Sequence, residues 1–84
     1  MIKAFVLIQT EIGAVGKVAE ALSVTQGVET ADEITGPYDI IARVCAVDLV
    51  TLGESVTNAI QRIDGVTRTL TCPATRNIAI PGDS

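Results

Sequence analysis

The sequence predicts a single small α+β domain whose strands and helices follow the order βαββαβ. Three observations carry this prediction. Short β-branched runs alternate with two stretches in which apolar residues recur at three- and four-residue spacing. A hairpin sequence, Thr35-Gly36-Pro37-Tyr38-Asp39, divides the two middle strands. The chain also resembles itself when slid 38 positions along. Ile2, Ala4 and Val6 then fall on Ile40, Ala42 and Val44, Val18 falls on Val56, Ala21-Leu22 on Ala59-Ile60, and Gly27-Val28 on Gly65-Val66. Two such copies of a strand–helix–strand unit indicate duplication within one domain, not a solenoid.

The elements follow in order. Ile2 to Ile8 alternates as a first strand. A first helix spans roughly Gly13 to Val24, with Val15, Val18, Ala19 and Leu22 on one face. Strands are expected over Val28–Ile34 and Ile40–Val47, on either side of the hairpin. A second helix runs from about Leu49 to Ile63, with Asp48 as its N-cap. Its apolar face is Leu49, Leu52, Val56, Ala59, Ile60 and Ile63. Gly27 and Gly65 follow the two helices and let the chain turn into the next strand. The last strand is Val66 to Cys72, limited by Pro73. A further extended piece is expected over Asn77–Ile80, so the domain covers 1–80 and leaves 81–84 as a loose tail.

Right-handed crossovers put both helices on one face of a four-stranded antiparallel sheet, the ferredoxin-like arrangement. If the other face met water, its strand positions should be polar. They are not. Phe5 and Leu7 oppose the Ile2, Ala4, Val6, Ile8 side, and Ile41, Cys45 and Val47 oppose Ile40, Ala42 and Val44. A monomer rarely exposes so large an apolar surface. The simplest cover is a second copy, which predicts a homodimer packed sheet on sheet, a dimeric α+β barrel.

Composition narrows the function. A chain of 84 residues makes a marginal core, here of Val, Ile, Leu and Ala, because it has one Phe and one Tyr. Ten acidic residues face six basic ones, and the basic ones are scattered, so no phosphate-binding face and no direct nucleic-acid contact are expected. Cys45 and Cys72 lie in strand-like runs without histidine partners; they are expected to be buried thiols, not a zinc site or a disulfide framework. No signal segment and no membrane span are visible, so a cytoplasmic location is expected. There is no histidine, no Gly-rich phosphate loop and no nucleophile at motif spacing from a base. Asp32 and Glu33 are strand neighbours on opposite faces and form no dyad. Catalysis would fall to Asp39, Tyr38, Cys45 or Cys72, and an enzyme is not expected; neither is a metal or a cofactor.

The hairpin reads two ways. Gly, Pro and Asp are ordinary turn residues. As a binding loop, Asp39 would pair with an ammonium group, and backbone N–H groups around Gly36 would receive a carboxylate. Tyr38 would then lay its ring over the ligand. Thr67, Thr69 and Thr71 recur at period two on the last strand, either as a polar lining or simply as good strand formers. Hairpin and threonine row together suit a small zwitterion such as an amino acid.

The ordered set Gly27-Val28, Ile34-Thr35-Gly36-Pro37-Tyr38-Asp39-Ile40-Ile41 and Gly65-Val66-Thr67-Arg68-Thr69-Leu70-Thr71 resembles the effector-binding (RAM) domain of the leucine-responsive regulatory protein/AsnC family over nearly the whole chain. The resemblance implies transcriptional regulation of amino acid metabolism, dimers formed through the open sheet faces, and their assembly into an octameric or similar ring. It also implies amino-acid effectors bound between dimers. Carried over, Thr35, Gly36, Pro37, Tyr38 and Asp39 belong to the ligand hairpin, and Thr69 and Thr71 to the last-strand wall. Full-length members carry an N-terminal helix-turn-helix domain. This sequence opens on the first effector-domain strand, and on that reading is a stand-alone effector domain. It would bind an amino acid and work with a full-length Lrp/AsnC-type regulator. The alternative is a ligand-free assembly module that mixes with or caps that regulator's rings.

Overall fold

A computed structural model describes residues 1–76. Strand β1 runs over Ile2–Thr10, helix α1 over Val15–Leu22, β2 over Val28–Glu33 and β3 over Ile40–Ala46. The second helix, α2, begins as α-helix over Leu49–Thr51, widens to a π-helix over Leu52–Thr57 and returns to α-helix over Asn58–Gln61. Strand β4 closes the order over Val66–Pro73. The four strands form one antiparallel sheet in the order β2-β3-β1-β4. This is the ferredoxin-like fold anticipated from the sequence. The extended piece expected at Asn77–Ile80 and the tail at 81–84 lie outside the described residues.

The internal duplication has a structural meaning. The equivalent strands β1 and β3 pair at the centre of the sheet, with Ala4 opposite Val44, Val6 opposite Ala42 and Ile8 opposite Ile40. All six are buried beneath the helices. The equivalent helix positions Val18 and Val56, and Leu22 and Ile60, complete the same core. Period-two and period-3.6 patterns therefore meet in one apolar layer, with no buried charged or polar residue among those described.

Helix boundaries differ from the sequence expectation. Gly13 has φ +82°, outside helical space, so α1 starts later than expected. Asp48 does cap α2, its Oδ1 accepting the Thr51 N–H at 2.7 Å. This bond holds the Asp48 carboxyl below the usual carboxylate range. Leu49 and Ala59, read from the sequence as core-facing, are exposed. The widened turn at Leu52–Thr57 changes the helical phase that a uniform 3.6-residue period assumes.

The open face of the sheet is apolar, as the strand patterns imply. Phe5 is 41% and Leu70 47% exposed there, beside half-buried Leu7 and Ile41. The cysteine expectation is corrected at this face. Cys72 is exposed and Cys45 only half-buried, because both occupy strand positions that point away from the helices. Cys45 lies opposite Lys3 and Cys72 opposite Phe5, on either side of β1, and both are free thiols.

Candidate functional site

The hairpin between β2 and β3 is closed at its base by the Ile34 N–H donating to the Asp39 carbonyl at 3.0 Å. Thr35, Gly36 and Pro37 are exposed at its tip, while Tyr38 and Asp39 are half-buried. Asp39 ties the hairpin to the end of β1. Its N–H donates to the Ile8 carbonyl at 2.9 Å. Its Oδ2 accepts the Thr10 N–H at 2.8 Å and lies 3.3 Å from the Thr10 hydroxyl. One carboxylate oxygen thus has a structural task, and Oδ1 has no partner among the described residues.

Gln9 continues the connection toward β4. Its Nε2 donates to the Pro37 carbonyl at 3.3 Å. The Thr67 hydroxyl lies 3.1 Å from the Gln9 carbonyl and 3.3 Å from its Oε1. Hairpin, β1 end and β4 start are therefore one hydrogen-bonded unit. At β4, Thr69 lies opposite Ile8 and Thr71 opposite Val6, so both threonines share the helix side of the sheet. The Thr69 hydroxyl accepts from Gln61 Nε2 of α2 at 3.1 Å. A shallow cleft of about 280 Å³ is lined there by Gln61, Val66, Thr67, Arg68 and Thr69.

The structure brings Thr35 to Asp39 together on one loop. Thr69 sits at the same end of the sheet, with β1 between it and β3, roughly 10 Å across two strand spacings. Thr71 lies two residues farther along the strand. The hairpin lines neither the cleft beside Thr69 nor a larger groove at the opposite end of the sheet. Sequence reasoning missed Gln9, Thr10, Gln61 and Arg68. The one available sign was the change from apolar to polar at Gln9-Thr10 while the strand continues.

The class of molecule so defined is a ferredoxin-like sheet with a polar hairpin strapped across one end and no cluster of metal-ligating groups among its described residues. The sequence profile of the Lrp/AsnC ligand binding domain matches residues 3–81, and the chain belongs to that family. No curated protein sequence matches it. Among solved structures it is similar to TTHA0845 from Thermus thermophilus, at 38% identity and TM-score 0.86, over 95% of this chain and 100% of that one. It is similar to FFRP-DM1 at 31% identity and TM-score 0.82, over 88% and 99% of the two chains. It shares the fold of the Neisseria meningitidis transcriptional regulator NMB0573, solved as an L-Met complex, at 15% identity and TM-score 0.83. That match covers 94% of this chain and 53% of the regulator.

Proposed function

We propose that the chain is an amino-acid effector-binding protein of transcriptional regulation, acting by ligand-dependent assembly and not by catalysis. The observation that carries this reading is the hairpin. Asp39 uses Oδ2 to fix the loop on Thr10 and leaves Oδ1 toward a ligand ammonium. Exposed Gly36 gives a carboxylate close access to backbone N–H groups, with Thr35, Pro37 and Tyr38 around it. Thr69 and Thr71 supply hydroxyls for the second wall. The hairpin at β2 and β3 and the threonines on β4 stand on opposite sides of β1, so the complete site is built between copies. Homodimers join through the open face, and further assembly into an octameric or similar ring brings the two walls together. The L-Met complex of the Neisseria regulator supports an amino acid as the ligand class. The family's regulatory character supports a cytoplasmic partner, a full-length Lrp/AsnC-type regulator. No helix among the described residues is long and apolar enough to cross a membrane.

A thermal-shift series with the twenty amino acids, read beside mass-resolved size exclusion, tests the proposal. One or a few amino acids should raise Tm, since a ligand that binds only the folded state stabilises it by mass action. Asp39→Asn keeps an oxygen for Thr10 but removes the charge. It should fold normally and lose the shift. No shift with any amino acid, or full retention of it in Asp39→Asn, overturns the site.

A further inference from the structure

The open face of the sheet carries charge as well as apolar area, and the charge is sorted by strand. Alternation and register place Asp32 on this face, opposite Ile41, at the β2 edge of the sheet. They place Arg68 on it too, opposite Gln9, at the β4 edge. Phe5, Leu7 and Ile41 lie on the two strands between.

The other cations of this face have partners. Lys3 Nζ lies 3.7 Å from Glu29, also on β2. The Arg43 guanidinium stacks over the Phe5 ring, 5.8 Å from its centroid. Asp32 and Arg68 are both exposed, and neither joins an ion pair among the described residues. They cannot meet within one chain. The strand order puts three strand spacings between them, about 14 Å.

A second copy laid face to face is related to the first by a two-fold axis between the sheets. Two aligned packings keep the strands of both copies roughly along one direction. With the axis across the strands, β2 lies over β2 of the partner subunit, and the acidic edge meets itself. With the axis along the strands, β2 lies over β4 of the partner subunit, and the acidic edge meets the basic one. Facing like charges disfavour the first arrangement. In the second, Asp32 and Arg68 of the partner subunit face each other across a sheet spacing of about 10 Å. Asp32 shares a row with Ile41, Leu7 and Leu70, so the offset along the strand is two residues, about 7 Å. The length of an arginine side chain spans this gap.

We infer that Asp32 and Arg68 of the partner subunit form a reciprocal pair of ion bridges that orients the dimer and favours a copy of this chain as its partner. The inference rests on the reading of the open face as the dimer interface. The apolar centre supplies the buried area, and the charged edges select partner and orientation.

Charge reversal in trans tests it, read by mass-resolved size exclusion at low salt, where such pairs are least screened. Asp32→Arg alone, or Arg68→Asp alone, sets like charges opposite each other. Each should raise the dimer dissociation constant by at least about ten-fold. An equimolar mixture of the two variants should recover the native mass, because each then meets the opposite charge. That recovery also shows that both variants are folded. Phe5→Glu separates the two readings. If it leaves the mass as in the native chain, the open-face dimer falls and the inference falls with it. If it dissociates the chain while either reversal alone assembles normally, or while the mixture stays dissociated, the ion pair alone is overturned.

Discussion

Gly27 is fixed by two constraints at once. Its φ is +94°, and a Cβ placed there would lie 2.7 Å from Val56 Cγ2 and 3.2 Å from the Cys45 carbonyl. The Cys45 N–H also donates to the Gly27 carbonyl at 2.8 Å, so the backbone cannot easily move away. Gly16 is the contrast: it lies inside α1, without a positive φ, and its Cβ position is open. Chemical denaturation should therefore separate two formally identical substitutions. Gly27→Ala should lose about 1–3 kcal/mol, the range for a forced unfavourable conformation. Gly16→Ala should gain roughly 0.5–1 kcal/mol from helix propensity and a less flexible unfolded chain. Equal effects would show that the turn after α1 relaxes freely. Asp39 belongs to this scale too. The residue is visible in the sequence as a candidate ligand, but its bond to Thr10, 29 positions away, is not.

At the scale of elements, α2 shows how a local cap and a global period separate. The cap is purely local: Asp48 and Thr51 are three residues apart, and the bond forms as the sequence suggests. Its pH dependence has a definite sign. The folded Asp48 carboxyl titrates below its ordinary value of 3.8, chiefly because the Thr51 N–H bonds to the ionised form. The stabilisation is thus fully present above that ordinary value and is lost as pH falls through the lower folded one. Thermal melts of the native chain and Asp48→Ala should differ by a constant margin near neutrality. The margin should shrink as pH drops below about 4, where a protonated cap no longer gains from ionisation. A margin that grows on acidification would refute the assignment. The exposure of Leu49 and Ala59, by contrast, follows from the π-helical turn, and no spacing rule for a regular helix contains it.

At the scale of the whole molecule, the open face is the apolar surface that the proposed assembly would cover. Its helix-covered side buries Val6, Ile8, Ala42 and Val44, while Phe5 and Leu70 stand outside on the other. Covering them removes apolar area from water, the driving term in most associations. Phe5→Glu should therefore lower the mass seen in size exclusion to that of a single chain and raise solubility. The core stays in place, since Phe5 makes no part of it. An unchanged assembly would place the interface elsewhere. Because the hairpin and the threonine wall are split across β1, loss of assembly should also abolish the amino-acid Tm shift.

The sequence by itself determined the order of elements, the duplicated core, the Asp48 cap and the apolar character of both sheet faces. These follow from side-chain periodicity, cap chemistry and turn residues, all of which act within a few positions along the chain. Only the tertiary structure decided that Asp39 is half-committed to Thr10, that Gln9 links the hairpin to Thr67, and that Arg43 stacks over Phe5. Each of these joins residues brought together by strand register, a quantity set by packing of the whole sheet against its helices and not by neighbours in sequence.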